Sequence, residues 1–170
     1  MTRDRIGKKL KRVDLLTRKD VVNVQRSFKI ESRDGIRHEN DAVSVDLWVS
    51  QFCNDNEENP VLYYKKQGEK KEDLEESDFC LIIMNRYQQE MLMKFGKNIV
   101  AIDSTHGLNK YDFLMTTLMV VDEFGEGFPV TYMFSNRHDT HTIILFFNII
   151  KSKVGSINAK TFMSDMESTF

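Results

Sequence analysis

Two aspartates are the residues of this chain best suited to chemistry, because each closes a short apolar run. Asp103 follows Asn98–Ile102 within the stretch KNIVAIDSTHGLN, and Asp165 follows Lys160–Met163 and Ser164. A lone carboxylate is costly to bury, so an acid at the end of a core strand needs an explanation. It either opens a turn as the strand surfaces or binds a metal ion. Asp165 has the further alternative of capping a helix. Two such acids side by side repel, which implies a raised pKa or a shared cation. Hard oxygen donors suit Mg²⁺ or Mn²⁺. Two such ions about 3.5–4 Å apart activate a nucleophile and stabilise the leaving oxygen in phosphodiester chemistry.

The elements around these acids decide whether they meet. Asn98–Ile102 reads as a buried strand, and Leu114–Val121 and Pro129–Ser135 as two more. Between the last two lies the hairpin connection DEFGEG. Leu114–Val121 is apolar at both parities, which predicts a central strand covered on both sides. Thr140–Val154 reads as a helix, with Ile143, Phe146, Phe147 and Ile150 on one face and Gly155 ending it. Lys160–Met163 is a short final strand. Hairpin-linked strands run antiparallel, whereas a strand reached through a helical crossover returns parallel to an earlier one. Laying 160–163 beside 98–102 brings Asp103 and Asp165, 62 positions apart (165 − 103), to the carboxyl ends of adjacent strands. Active sites of such sheets lie there.

Upstream, Asn85 and Gln88 form a capping box for a helix over Arg86–Phe95, with Gly96 suited to the left-handed position after it. Val61–Lys65 and Phe79–Met84 read as a hairpin with a long charged tip. Tyr63 and Tyr64 can stack on nucleic-acid bases, although ordinary packing explains them as well. Asn40 or Asp41 caps a helix carrying Val45, Trp48, Val49 and Phe52, and a further helix runs from Thr17 to about Lys29. The chain thus divides into a basic arm with a helical segment (1–57), a hairpin plus helix (58–96) and a catalytic-type core (97–170).

Composition narrows the setting. The apolar fraction of 41% supports a core, and no apolar run is long enough to span a membrane. No secretory h-region is visible at the N-terminus. Cys53 and Cys80 are too few for a disulfide framework or a cysteine zinc site, which points to an intracellular protein. Residues 1–37 hold twelve Lys and Arg against five acids, a net of +7, leaving −9 for the remainder. Such an arm suits an electrostatic grip on phosphates, and equally a solvated terminus. Its Lys8–Arg12 cluster resembles a nuclear import signal.

Three segments carry a family resemblance: Ile102–Gly107 (IDSTHG), Leu118–Val130 (LMVVDEFGEGFPV) and Phe162–Asp165 (FMSD). In order and spacing they resemble the catalytic core of Mutator-like (MULE) transposases, from about residue 60 to the end. That resemblance implies an α/β (α+β) ribonuclease H-like mixed sheet and a DDE acidic triad. It implies Asp103 and Asp165 as the first two acids and metal ligands, Mg²⁺ or Mn²⁺ as cofactor, DNA as partner and a nuclear location. His106, three positions past Asp103, is an accessory candidate near the metal or a phosphate, or packs in the turn. His138 and His141 read as surface residues. The family's helix-borne third glutamate has no counterpart, Glu167 being too close to Asp165, and its zinc-binding modules are absent. The chain therefore reads as a fragment of a MULE transposase, inactive alone in cutting and joining DNA. The alternative is a non-catalytic, domesticated remnant that binds DNA or protein.

Overall fold

A computed structural model of the chain describes residues 19, 23, 38–54, 59–71, 74–107 and 109–164. The chain divides into two units, residues 1–44 and 45–170. Of the helix expected over 17–29, Lys19 and Asn23 are described, both helical; the rest lies outside the described residues. Asn40 caps helix α1 (Asp41–Asn54), its Oδ1 accepting from the N–H groups of Ala42 and Val43 at 3.0 and 3.3 Å.

The second unit holds β1 (Val61–Lys65), β2 (Cys80–Ile83), α2 (Arg86–Phe95), β3 (Ile99–Thr105), β4 (Leu114–Val121), β5 (Gly127–Ser135), α3 (Thr140–Val154) and β6 (Thr161–Ser164). Its six strands form one sheet in the order β1-β2-β5-β4-β3-β6. Every neighbouring pair is antiparallel except β3 and β6. The fold is thus the expected mixed α/β sheet, with the helical crossover returning β6 parallel to β3.

Local chemistry sets the helix ends. In the capping box, Asn85 Oδ1 accepts from the Gln88 N–H at 2.8 Å and Gln88 Oε1 from the Asn85 N–H at 2.9 Å. Asp139 caps α3 through the N–H and hydroxyl of Thr142, each at 2.9 Å. Gly155 ends that helix at φ +82°, a left-handed conformation that suits glycine. Gly96 differs from expectation: it is right-handed, at φ −62° and ψ −10°. Its N–H still reaches the Leu92 carbonyl at 2.8 Å, and the Asn98 N–H bonds the Phe95 carbonyl at 3.1 Å. The helix therefore ends in a tightened turn rather than a reversal. Glycine is required there for space, since a Cβ would stand 2.5 Å from the Leu92 oxygen.

Strand alternation sorts the core. Val100 and Ile102 of β3, Leu118 and Val120 of β4, Met133 of β5 and Ile82 of β2 are buried together. They pack with Leu92 and Phe95 of α2 and with Ile143, Phe146 and Ile150 of α3. Both helices thus cover one face. The intervening residues Ala101, Asp103, Thr105, Met119, Val121, Tyr132 and Phe134 are only half-buried. This corrects the expectation for β4: it is central, but Met115, Met119 and Val121 lie on a half-open face. At the tip of the β1–β2 hairpin, the fully buried Lys65 donates to the backbone carbonyls of Glu75 and, at 2.5 Å, Asp78.

Candidate functional site at the carboxyl end of β3

β3 continues two residues beyond Asp103, so the acid stands inside the strand, opposite Thr117 of β4. The expected strand end at Ile102 is corrected accordingly, and of the two readings of Asp103 the turn does not hold. Strand pairing, not turn geometry, holds this carboxylate. Alternation puts it on the half-open face, where Thr105, two residues on, donates its hydroxyl to Asp103 Oδ2 at 3.3 Å. A half-exposed carboxylate with a single hydroxyl donor retains free lone pairs for a cation.

β6 reaches the same rim. It runs parallel to β3 in unbroken register, Ile99 beside Thr161 and Ile102 beside Ser164. Asp165 lies outside the described residues. Among the described residues, no three His, Cys, Asp or Glu side chains gather as a metal site. His106 is exposed immediately past the end of β3, and His141 is exposed on α3, as expected.

His138 differs from the surface role expected of it. It is half-buried, and its Nε2 lies 3.2 Å from Ser104 Oγ, which in turn lies 2.9 Å from Thr116 Oγ1. Burial, reinforced by the neighbouring His106 and opposed by Asp139, holds the imidazole below its ordinary pKa. Neutral His138 therefore ties the loop before α3 to β3. The one hint in the sequence is Ser104, a hydroxyl at the inward parity set by Val100 and Ile102, which needs a partner once covered. Its partner's position, 34 residues away, is a matter of topology.

A charged brace lies next to this contact. Arg137 bonds Asp139 through Nε, and its Nη1 lies 3.0 Å from Asp78 Oδ2. Burial pushes both acids upward. For Asp78 the Glu75 N–H and the guanidinium outweigh it, and for Asp139 the Thr142 N–H and the guanidinium do so. Both therefore sit below the usual carboxylate range. The brace joins the hairpin tip to the cap of α3.

This sheet, with its two covering helices and a helical crossover into a parallel β6, defines a ribonuclease H-like domain. Residues 50–169 match the family described as zinc finger SWIM domain-containing protein 1/3, RNaseH-like domain, and the chain belongs to that family. No curated protein and no solved structure matches the chain.

Proposed function

We propose that this ribonuclease H-like domain descends from a Mutator-like DDE transposase, with Asp103 and Asp165 as its two acids. One observation carries the reading. Ile102 of β3 lies beside Ser164 of β6 in a parallel ladder, and the next residue in sequence after each is an aspartate. Were the ladder to continue by one residue, the two carboxylates would meet on the half-open face. Their hard oxygens suit Mg²⁺ or Mn²⁺. A divalent ion there would polarise a phosphate oxygen of DNA. Thr105 orients the Asp103 carboxylate through its hydroxyl, and exposed His106 serves as an accessory contact to a phosphate.

Two carboxylates by themselves hold one such ion weakly. We therefore expect this segment to bind the ion without cleaving DNA. Mn²⁺ titration followed by electron paramagnetic resonance tests the site: Asp103→Asn and Asp165→Asn should each abolish binding. Unaltered binding in both variants would refute it. Plasmid nicking in Mg²⁺ or Mn²⁺ that Asp103→Asn abolishes would overturn the expected inactivity.

A non-catalytic, DNA-holding role in the nucleus is the second reading, favoured by the +7 charge of residues 1–37. Phosphate contacts by that arm would make affinity fall steeply with salt, and salt-insensitive binding would refute this role.

A further inference from the structure

The rim that carries the end of β3 also carries a row of four aromatic rings, of which only Tyr64 has been given a reading above. Phe113 and Phe79, the residues just before β4 and β2, stack at 4.9 Å between ring centroids with their planes 21° apart. Tyr64 closes the row at 6.1 Å from Phe79, and Tyr111 opens it at 5.8 Å from Phe113. Phe113 continues the parity of Met115 and Thr117, as Phe79 continues that of Leu81, which pairs with Tyr64. This is the face of Asp103, since Asp103 pairs with Thr117. The row therefore runs along one rim on the half-open face, with Tyr111 in the same β3–β4 connection that follows Asp103.

Two features show that Tyr111 is held outward rather than left loose. Asn109 folds the connection around itself. Its Oδ1 accepts from the N–H groups of Tyr111 and Phe113 at 3.0 and 3.1 Å, and its Nδ2 donates to the Phe113 carbonyl at 2.7 Å. Asp112, between the two rings, adopts φ +59°, a left-handed conformation that costs a non-glycine residue about 1 kcal/mol or more. Next to this left-handed residue Tyr111 stays 51% exposed. The Lys110 ammonium sits 5.0 Å from the Tyr111 ring centroid. A pinned, half-exposed ring with a cation beside it and a second ring behind it is the arrangement that takes a flat, electron-rich group next to an anion.

We propose that Tyr111 and Phe113, backed by Phe79 and Tyr64, form a base-stacking platform for an unpaired base of single-stranded DNA, with Lys110 meeting the adjoining phosphate. The proposal rests on the nucleic-acid reading above and names the form of DNA taken at that rim. Paired bases present their faces only at duplex ends, so the platform favours single strands.

Fluorescence anisotropy in EDTA, with a labelled 15-nucleotide oligothymidylate and a 15-base-pair duplex, separates this proposal from metal binding. Tyr111→Ala should weaken oligothymidylate binding about 10-fold with an unchanged salt slope, and weaken duplex binding less than twofold. Tyr111→Trp should restore the affinity. Lys110→Ala should lower the single-strand salt slope by about 0.7. If Tyr111→Ala binds oligothymidylate as tightly as the unaltered protein while both nucleic acids still bind, stacking is wrong and the nucleic-acid reading stands. If neither nucleic acid binds the unaltered protein, that reading falls and the platform with it.

Discussion

On the covered face of the sheet, Val100, Ile102, Leu118 and Val120 are at most 2% exposed, as is Phe146 of the covering helix α3. One residue along the same strands, Ala101, Asp103, Met119 and Val121 remain half-open. The two faces share one backbone and one set of ladder hydrogen bonds, so the difference lies in the side chains and their cover. The covered face removes apolar area from water and carries most of the stability. The open face keeps a carboxylate, the Thr105 hydroxyl and a row of rings within reach of solvent and ligand. A period of two lets neighbouring residues meet opposite demands without compromise. Asp103 can keep a hydrated carboxylate because its neighbours Ile102 and Ser104 face the other way.

The largest test of this contrast is a pair of truncations. Phe146→Ala should cost about 3–5 kcal/mol in urea unfolding, whereas Met119→Ala should cost roughly 1 kcal/mol because its site is already half-open. Equal losses would break the distinction between the faces. Next comes Lys65, the ammonium on the covered side. Lys65→Met keeps the stem but removes the ammonium donor from the Asp78 carbonyl and leaves the Glu75 carbonyl with the Asp78 N–H alone. That should cost about 1–3 kcal/mol; a gain in stability would show that this amine is a burden the core tolerates.

The smallest effects are pH-dependent. His138 titrates below its ordinary value in the folded state, so the folded protein binds fewer protons there than the unfolded chain. Its contribution is complete above about pH 6.5 and is lost as pH falls through the lower folded value. Thermal melts of His138→Gln should lack that loss; identical profiles would remove the Ser104 contact from the account. Asp78 and Asp139 are also held low. Their contribution is present above about pH 4 and lost as pH falls further. Arg137→Met should flatten this acid limb.

Much of the fold was legible because local physics wrote it. The capping box of Asn85 and Gln88, the cap of Asn40, the end of α3 at Gly155 and the crossover into β6 all depend on nearby residues or on chain chirality. Other features were not legible, each for a definite reason. Gly96 looked like a left-handed cap, yet close approach to Leu92 is what requires it. Apolar residues at both parities of β4 suggested cover on two sides, whereas methionines and valines also tolerate a half-open face. His138 looked like a surface residue because nothing near it in sequence shows that its loop closes over Ser104.

Asp103 was legible as a residue of interest from the chain alone, because an acid ending an apolar run is costly without a purpose. Its setting was not. Strand type, capping chemistry and the parallel return of β6 follow from short-range sterics and hydrogen bonding, which the order of residues determines. Which face lies open, how far β3 runs past the acid, and which rings line up along the rim depend on contacts between residues tens of positions apart. Packing of the whole chain decides those, because burial is shared among all the elements that meet at a site.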